Sequence, residues 1–273
     1  MAETFSEVPE DLEQLLNGFQ PVDENEPQNN PTFVLLHGSW MRGKHWDPVS
    51  AELSSLGYPV LAPDLPLEKE GMDARRLGRY IGDLVLELGD DDVALVAHSR
   101  SGNGALWAAL YQPVSMIYFV CASFENPTLR FMKRRGDAAL PKRNPNPEFA
   151  QAVGKNTDNP QMTFIKSGYA ARILFNRVKN ADDRQTAEED LRETRRISEE
   201  PRLRKFPDYT PYVYYYAEHD NCIGLEWTRA VCRERLRIRP RKIAGADHCP
   251  MISQPARLTN MLVDDSSKRR IPV

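Results

Sequence analysis

The sequence is poor in cysteine. Its 273 residues contain only four, and no two of them form a Cys-x-x-Cys pair: Cys121, Cys222, Cys232 and Cys249. This usage predicts neither a disulfide framework nor a zinc site, and it favours a reducing, cytoplasmic setting.

Long hydrophobic runs are also missing. No apolar run approaches the roughly 18 residues that a membrane span needs, and the first residues, MAETFSEVPEDLEQLL, lack the basic region and apolar core of a secretory signal. The net charge of −3 gives no reason to expect nucleic acid or an anionic membrane as a partner. The segment SGNG at 101–104 fits neither glycine-rich phosphate-loop spacing, and we expect no cofactor.

The chain is large enough for one α/β domain, because 41% of its residues are apolar. Residues 1–30 hold eight acidic residues and no basic one, which predicts a flexible acidic leader with a short helix over 9–18. We therefore place the folded domain at 31–265 and a polar tail at 266–273. Basic runs between 124 and 205 are typical of a solvated surface.

Strand and helix patterns alternate along the domain, which predicts a mostly parallel sheet of about six strands with helices on both faces. The predicted strands cover 32–38, 58–64, 92–97, 115–122, 212–217 and 239–245. Residues 124–206 interrupt this order with a polar, helical pattern. We expect them to form a helical cap at the carboxyl end of the sheet, where ligands bind in open α/β folds.

The stretch LVAHSRSG (95–102) passes from a strand pattern to a helix at Ser99. A sharp strand-to-helix turn of this kind can hold a serine hydroxyl exposed, and it requires small residues two places before and after the serine. Ala97 and Ser101 occupy those places. A helix N-cap at Ser99 is the alternative interpretation.

Asp220 and His248 follow the next predicted strand ends, in the order serine, acid, histidine. A hydroxyl needs a base to act as a nucleophile, and the base needs a carboxylate to orient it. We therefore predict catalysis by Ser99, His248 and Asp220.

The alternatives are Glu218 as the acid and His219 as the base, while His37, His98 and Asp247 are typical of packing or turn residues. A metal site built from His219, Asp220, His248 and Cys249 is a further alternative, and we expect no metal. The backbone N–H groups of Ser39 and Arg100 are the predicted donors to the oxyanion.

These residues lie in segments that resemble the α/β-hydrolase superfamily: FVLLHGSW, LVAHSRSG, YYYAEHDNCIGLEW and GADHCPMISQPARL. The chain is most similar to the branch with methyl salicylate-type esterases and S-selective hydroxynitrile lyases. In the resemblance, the lyases carry Thr and Lys at the two places where this chain has Gly38 and Cys249. Because this chain lacks both residues, the resemblance implies ester hydrolysis.

The sequence thus predicts a carboxylic-ester hydrolase that forms an acyl-enzyme on small to medium substrates, with Trp40 and Arg100 binding the substrate. Arg100 stands where the branch usually has an uncharged residue. Its guanidinium could pair with a substrate carboxylate, with an acid of the insertion, or serve a structural role. A lyase or cyclase that reuses the same residues and a catalytically silent binding protein stay open, as does a homo-oligomer.

Overall fold

The structure is a computed structural model that describes residues 30–124, 141–196, 203 and 205–268. The predicted leader, except Asn30, and the last five residues of the predicted tail lie outside the described residues, as does the short helix expected over 9–18. Within the described ranges, none of the helices combines the length and apolar composition that crossing a membrane requires.

Nine strands lie in the described part of the chain: β1 (Thr32–Leu36), β2 (Val60–Leu61), β3 (Val93–His98), β4 (Met116–Val120), β5 (Val153–Lys155), β6 (Met162–Ile165), β7 (Thr194–Arg195), β8 (Tyr212–Ala217) and β9 (Arg241–Ile243). Six of them form one sheet in the order β2-β1-β3-β4-β8-β9, and every neighbouring pair is parallel. The predicted fold class is confirmed.

The three central strands β1, β3 and β4 are buried along their whole length. Their sequences, TFVLL, VALVAH and MIYFV, are nearly continuous apolar runs, as expected for strands covered on both faces. The register places Leu35 beside Val96 and Val96 beside Tyr118. Because the strands are parallel, their carboxyl ends meet at one edge of the sheet.

The helices that cover the sheet are α1 (Asp47–Ser55), α2 (Ala74–Leu88), α3 (Ser101–Tyr111), α7 (Leu225–Val231) and α9 (Pro255–Ser267), with α4 (Pro147–Ala152), α5 (Ala170–Ile173) and α6 (Ala181–Glu189) in the insertion and the short α8 (Pro250–Ser253) before α9. Helix α1 packs with α9, and α2 packs with α3. Asp73 caps α2 by accepting a hydrogen bond from the Arg76 N–H, and Gly89 ends it in a left-handed conformation.

The insertion contains helices, as predicted, but also an antiparallel sheet in the order β5-β6-β7 that is not predicted from the sequence. Strand β7 has only two residues and lies about thirty residues after β6, the strand with which it pairs. Such short, distant pairings leave no periodic pattern in the sequence.

The insertion lies against the carboxyl end of the parallel sheet. The backbone N–H of Trp40, which follows β1, donates to Thr194 Oγ1 at 3.3 Å. The backbone N–H of Gly224, which follows β8, donates to the Arg143 carbonyl at 2.8 Å. These contacts enclose the edge where the predicted functional residues lie.

Candidate active site

Ser99 lies in the turn between β3 and α3, and its backbone is in the left-handed region with φ of 52°. Residues other than glycine rarely adopt this backbone conformation, so the surroundings must hold the turn in place. The Ser99 N–H donates to the Val120 carbonyl at 3.1 Å, and the Ser99 carbonyl accepts from the N–H groups of Gly102 and Ser123. The turn therefore presents the hydroxyl from a fixed backbone.

Gly38, just after β1, lies directly against this turn. A Cβ atom added to Gly38 would lie 2.7 Å from the Ser99 Cβ and 2.9 Å from Nδ1 of His98. These distances are shorter than van der Waals contact, so no larger residue fits without moving the serine. The absence of a side chain at position 38 allows the end of β1 to approach Ser99.

Ser99, His248 and Asp220 form a continuous chain of hydrogen bonds. The Ser99 Oγ lies 3.1 Å from Nε2 of His248, and the His248 Nδ1 lies 3.0 and 3.1 Å from the two carboxylate oxygens of Asp220. The side chains of His248 and Asp220 are only 4% and 5% exposed. With its Nδ1–H directed at the carboxylate, the ring leaves Nε2 to accept the serine proton.

Two backbone donors fix the Asp220 carboxylate. The N–H groups of Cys222 and Ile223 donate to its Oδ1 at 2.7 and 2.8 Å. This turn follows β8, so the strand end determines where the carboxylate lies. The same oxygen therefore serves the loop and the imidazole.

His98 packs against His248 and is hydrogen-bonded to its backbone. Its Nε2–H donates to the His248 carbonyl at 2.8 Å, and the two ring centroids are 4.8 Å apart. Burial lowers the pKa of His98 well below its usual value, so the ring is neutral. The fully buried Trp46 packs edge-on against it.

His37 is held in a comparable way at the end of β1. Its Nδ1–H donates to the Gly38 carbonyl at 2.9 Å, and its Nε2 accepts from the Leu65 N–H at 2.8 Å. Burial lowers the pKa of His37 to about 3. Both ring nitrogens are thus used to join two loops.

The alternative acid and base lie away from the serine. The Glu218 carboxylate accepts hydrogen bonds from the Lys242 ammonium and the Gly245 N–H, both at 2.9 Å. His219 Nδ1 lies 3.1 Å from the Arg177 guanidinium. Neither side chain is hydrogen-bonded to Ser99 or His248 among the described residues.

Asp247 is buried next to His248 in the chain, but its carboxylate is hydrogen-bonded to other groups. It accepts hydrogen bonds from the N–H groups of Cys249 and Arg177 and from the Ser253 hydroxyl. Burial raises its pKa to about 6. These contacts are those of a turn-forming residue.

One group among the described residues has the spacing of a metal site: Cys121, Asp220 and His248, whose ligand atoms lie within 4.8 Å of one another. Burial raises the pKa of the Cys121 thiol well above its usual value, so the sulfur keeps its proton. Asp220 and His248 of this group are joined directly, by the hydrogen bond between His248 Nδ1 and Asp220 Oδ1 at 3.0 Å. The predicted alternative with His219 and Cys249 is not brought together.

Ser99 and His248 open into a cavity of about 740 Å³ that is also lined by Ser39, Trp40 and Arg100. This is within the size range of small-molecule sites. The Trp40 indole N–H donates to Thr163 Oγ1 at 3.1 Å, which fixes the ring in the wall. All the residues predicted for the site therefore border one space or its hydrogen-bond chain.

The Arg100 side chain binds the main chain of the insertion. Its Nη1 donates to the Arg195 carbonyl at 2.7 Å. An acid of the insertion is one partner that the sequence suggests for Arg100, whereas this hydrogen bond is to a main-chain oxygen. Arg100 thus connects the turn at Ser99 to β7.

The insertion supplies wall residues that no sequence motif indicates, among them Phe149, Thr163 and Arg195. Its basic runs are typical of a solvated surface, and in the sequence only their position after a sheet strand indicates a place near the site. The chain fold, not a motif, brings these side chains to the cavity.

The curated relatives include Methylesterase 7 of Arabidopsis thaliana, which is 26% identical over 90% of this chain and 99% of its own length. Methyl jasmonate esterase 1 of Vitis vinifera is 23% identical over 82% of this chain and 92% of its own length. These relatives confirm the resemblance to the branch that contains plant methylesterases.

Among solved structures, a pyrethroid hydrolase from Sphingobium faniae JZ-2 superposes with a TM-score of 0.67 at 19% identity, over 88% of this chain and 98% of that one. At this identity the likeness establishes a shared fold. The sequence profile described as the alpha/beta hydrolase family matches residues 33–260, which span the sheet, the turn at Ser99 and the His248 loop. The chain belongs to the alpha/beta hydrolase family.

Proposed function

We propose that the protein is a carboxylic-ester hydrolase in which Ser99 forms an acyl-enzyme with help from His248 and Asp220. The observation that carries this proposal is the chain of hydrogen bonds from Ser99 through His248 to Asp220, which opens into a cavity. The methylesterase names of the curated relatives support the same reaction class.

In the first step the Ser99 Oγ attacks the ester carbonyl carbon and its proton moves to Nε2 of His248, 3.1 Å away. The Asp220 carboxylate holds the ring in the required tautomer and stabilises the imidazolium. The N–H groups of Ser39 and Arg100, both in the cavity wall, would donate to the oxyanion.

The C–O bond to the alcohol then breaks, and the leaving oxygen takes the proton from His248. A water molecule attacks the acyl-enzyme while His248 accepts its proton, and the acid is released as Ser99 regains a proton. No group outside the chain and the substrate is needed to balance either step except this water.

Trp40 and Arg100 are the proposed substrate-binding side chains. The Trp40 indole lies in the wall with its ring centroid 6.3 Å from that of Phe149, which gives the cavity an aromatic side. The cavity volume of about 740 Å³ suits small to medium esters. Four buried free cysteines accord with the proposed reducing, cytoplasmic setting.

The residues in place favour hydrolysis over lyase chemistry. Gly38 has no hydroxyl to offer, and Cys249, next to His248, is fully buried rather than in the cavity wall. The resemblance implies that lyase chemistry uses a Thr hydroxyl and a Lys ammonium at these two places.

The test is Ser99→Ala, which should abolish turnover of p-nitrophenyl acetate and covalent labelling by a fluorophosphonate. Ser101→Ala is the matched control, because this hydroxyl is buried and donates to the His37 carbonyl. Labelling should persist in the control. Labelling of Ser99→Ala would refute the nucleophile, and an unlabelled wild type would indicate a silent binding protein.

A further inference from the structure

The wall of the Ser99 cavity is strongly basic. Among its described residues there is no Asp or Glu, whereas five carry positive charge: Arg100, Arg143, Lys155, Arg195 and Arg196. The whole chain has a net charge of −3, so this concentration runs against the overall balance. A cavity lined by one sign of charge concentrates ligands of the opposite sign.

The position of Arg195 relative to Ser99 is fixed by hydrogen bonds. The Arg100 guanidinium, next to the nucleophile, donates to the Arg195 carbonyl at 2.7 Å. The Arg195 backbone N–H donates to the Leu67 carbonyl at 2.9 Å, which anchors β7 to the main domain. The two arginines therefore meet where the insertion reaches the turn at Ser99.

Arg195 also has an unused donor. The structure shows no hydrogen bond from its guanidinium to any described residue, and the Nε atom is itself enclosed from solvent. Among the described residues, no ion pair involves Lys155, Arg195 or Arg196. A guanidinium carries five N–H donors, and a carboxylate is the acceptor that best matches it.

Another part of the cavity wall is apolar. Trp40, Phe149, Val153 and Ile223 line it, and the first two pack ring against ring. A ligand that fits this lining has a hydrocarbon body and an anionic group. A wholly apolar ester would offer no acceptor to the Arg195 guanidinium.

We propose that the preferred substrate is an ester that also carries an ionised carboxylate, such as the half-ester of a dicarboxylic acid. This inference rests on the proposed ester hydrolysis at Ser99. The free carboxylate binds Arg195, with Arg196 and Lys155 adding to the positive field, while the ester carbonyl lies at Ser99.

The experiment compares ethyl hydrogen adipate with ethyl hexanoate, which have the same acyl chain length and differ in a terminal carboxylate or methyl group. We expect the wild type to show a kcat/KM at least about tenfold higher for the adipate, as one charge-assisted hydrogen bond would give. In Arg195→Gln the ratio of the two kcat/KM values should fall about tenfold, and Arg195→Lys should recover part of it. Arg196→Gln and Lys155→Gln should lower the ratio less.

Arg184→Gln is the matched control. Arg184 belongs to the insertion but pairs with Glu188 outside the cavity wall, so its ratio should equal that of the wild type. A purely structural loss would lower both kcat/KM values together and leave the ratio unchanged.

A wild-type ratio near one, or a ratio unchanged in Arg195→Gln, Arg196→Gln and Lys155→Gln, overturns the substrate inference. Turnover of p-nitrophenyl acetate without a preference for the adipate refutes this inference alone. Absence of both ester turnover and fluorophosphonate labelling removes the proposed hydrolysis and the inference with it.

Discussion

Replacing Asp220 by asparagine changes one atom of the carboxylate and tests how the imidazole is oriented. The Oδ1 of Asp220 accepts from the N–H groups of Cys222 and Ile223, so the amide oxygen of the variant should occupy this place. The NH2 group then takes the place of Oδ2, which lies 3.1 Å from the His248 Nδ1.

The amide oxygen at the Oδ1 position still lies 3.0 Å from Nδ1, so the NH2 group competes with it. Where the NH2 group donates to Nδ1, the imidazole proton moves to Nε2. His248 then presents N–H to Ser99 and is unable to accept the serine proton. The negative charge that would stabilise the imidazolium is lost as well. We expect kcat/KM to fall by about 10³ to 10⁴, or roughly 4 to 5.5 kcal/mol in the activation barrier.

The assay is the release of p-nitrophenol from p-nitrophenyl acetate, with thermal unfolding measured in parallel. Glu218→Gln is the control, because this carboxylate is two residues away and binds Lys242 and Gly245 instead of His248. A folded Asp220→Asn protein with kcat/KM within about tenfold of the wild type would refute the proposed role of the carboxylate, and so would an equal loss in the control.

Two further predictions concern the groups packed behind the serine. Gly38→Ala places a Cβ 2.7 Å from the Ser99 Cβ, and the resulting shift of the serine should lower kcat for p-nitrophenyl acetate by about 10- to 100-fold; wild-type kcat would contradict this. Burial lowers the pKa of His37 to about 3, so its contribution to stability is present above about pH 6.5 and is lost as the pH falls. The free energy of unfolding of the wild type relative to His37→Gln, from urea denaturation, should decrease by about 2 kcal/mol between about pH 7.5 and 5, whereas a constant difference would show that this histidine is not buried in neutral form.

The elements of the parallel sheet could be predicted because each is a local pattern. Apolar runs such as VALVAH and YVYYYA (212–217) correspond to β3 and β8, and β8 has the predicted bounds. Helix α2 ends at the predicted glycine because Gly89 adopts a left-handed conformation. The second strand is shorter than predicted, Val60–Leu61 instead of 58–64, since only those residues pair with β1.

The insertion could not be predicted in the same way. Its sheet depends on contacts between segments that are far apart in the sequence, such as Thr163 beside Thr194. Neither the composition nor the periodicity of the sequence around these residues predicts the pairing. The basic character of the cavity likewise depends on which faces of these short strands turn towards Ser99.

The sequence by itself determined the order of the elements and placed Ser99, Asp220 and His248 each just after a strand, because hydrophobic periodicity and strand-end position are properties of neighbouring residues. Only the tertiary structure decided which carboxylate meets the imidazole, Asp220 and not Glu218 or Asp247, since this depends on the direction of side chains in one turn. It also decided that β7 of the insertion brings Arg195 to the cavity wall. That outcome follows from packing between distant segments, and packing has no local signature.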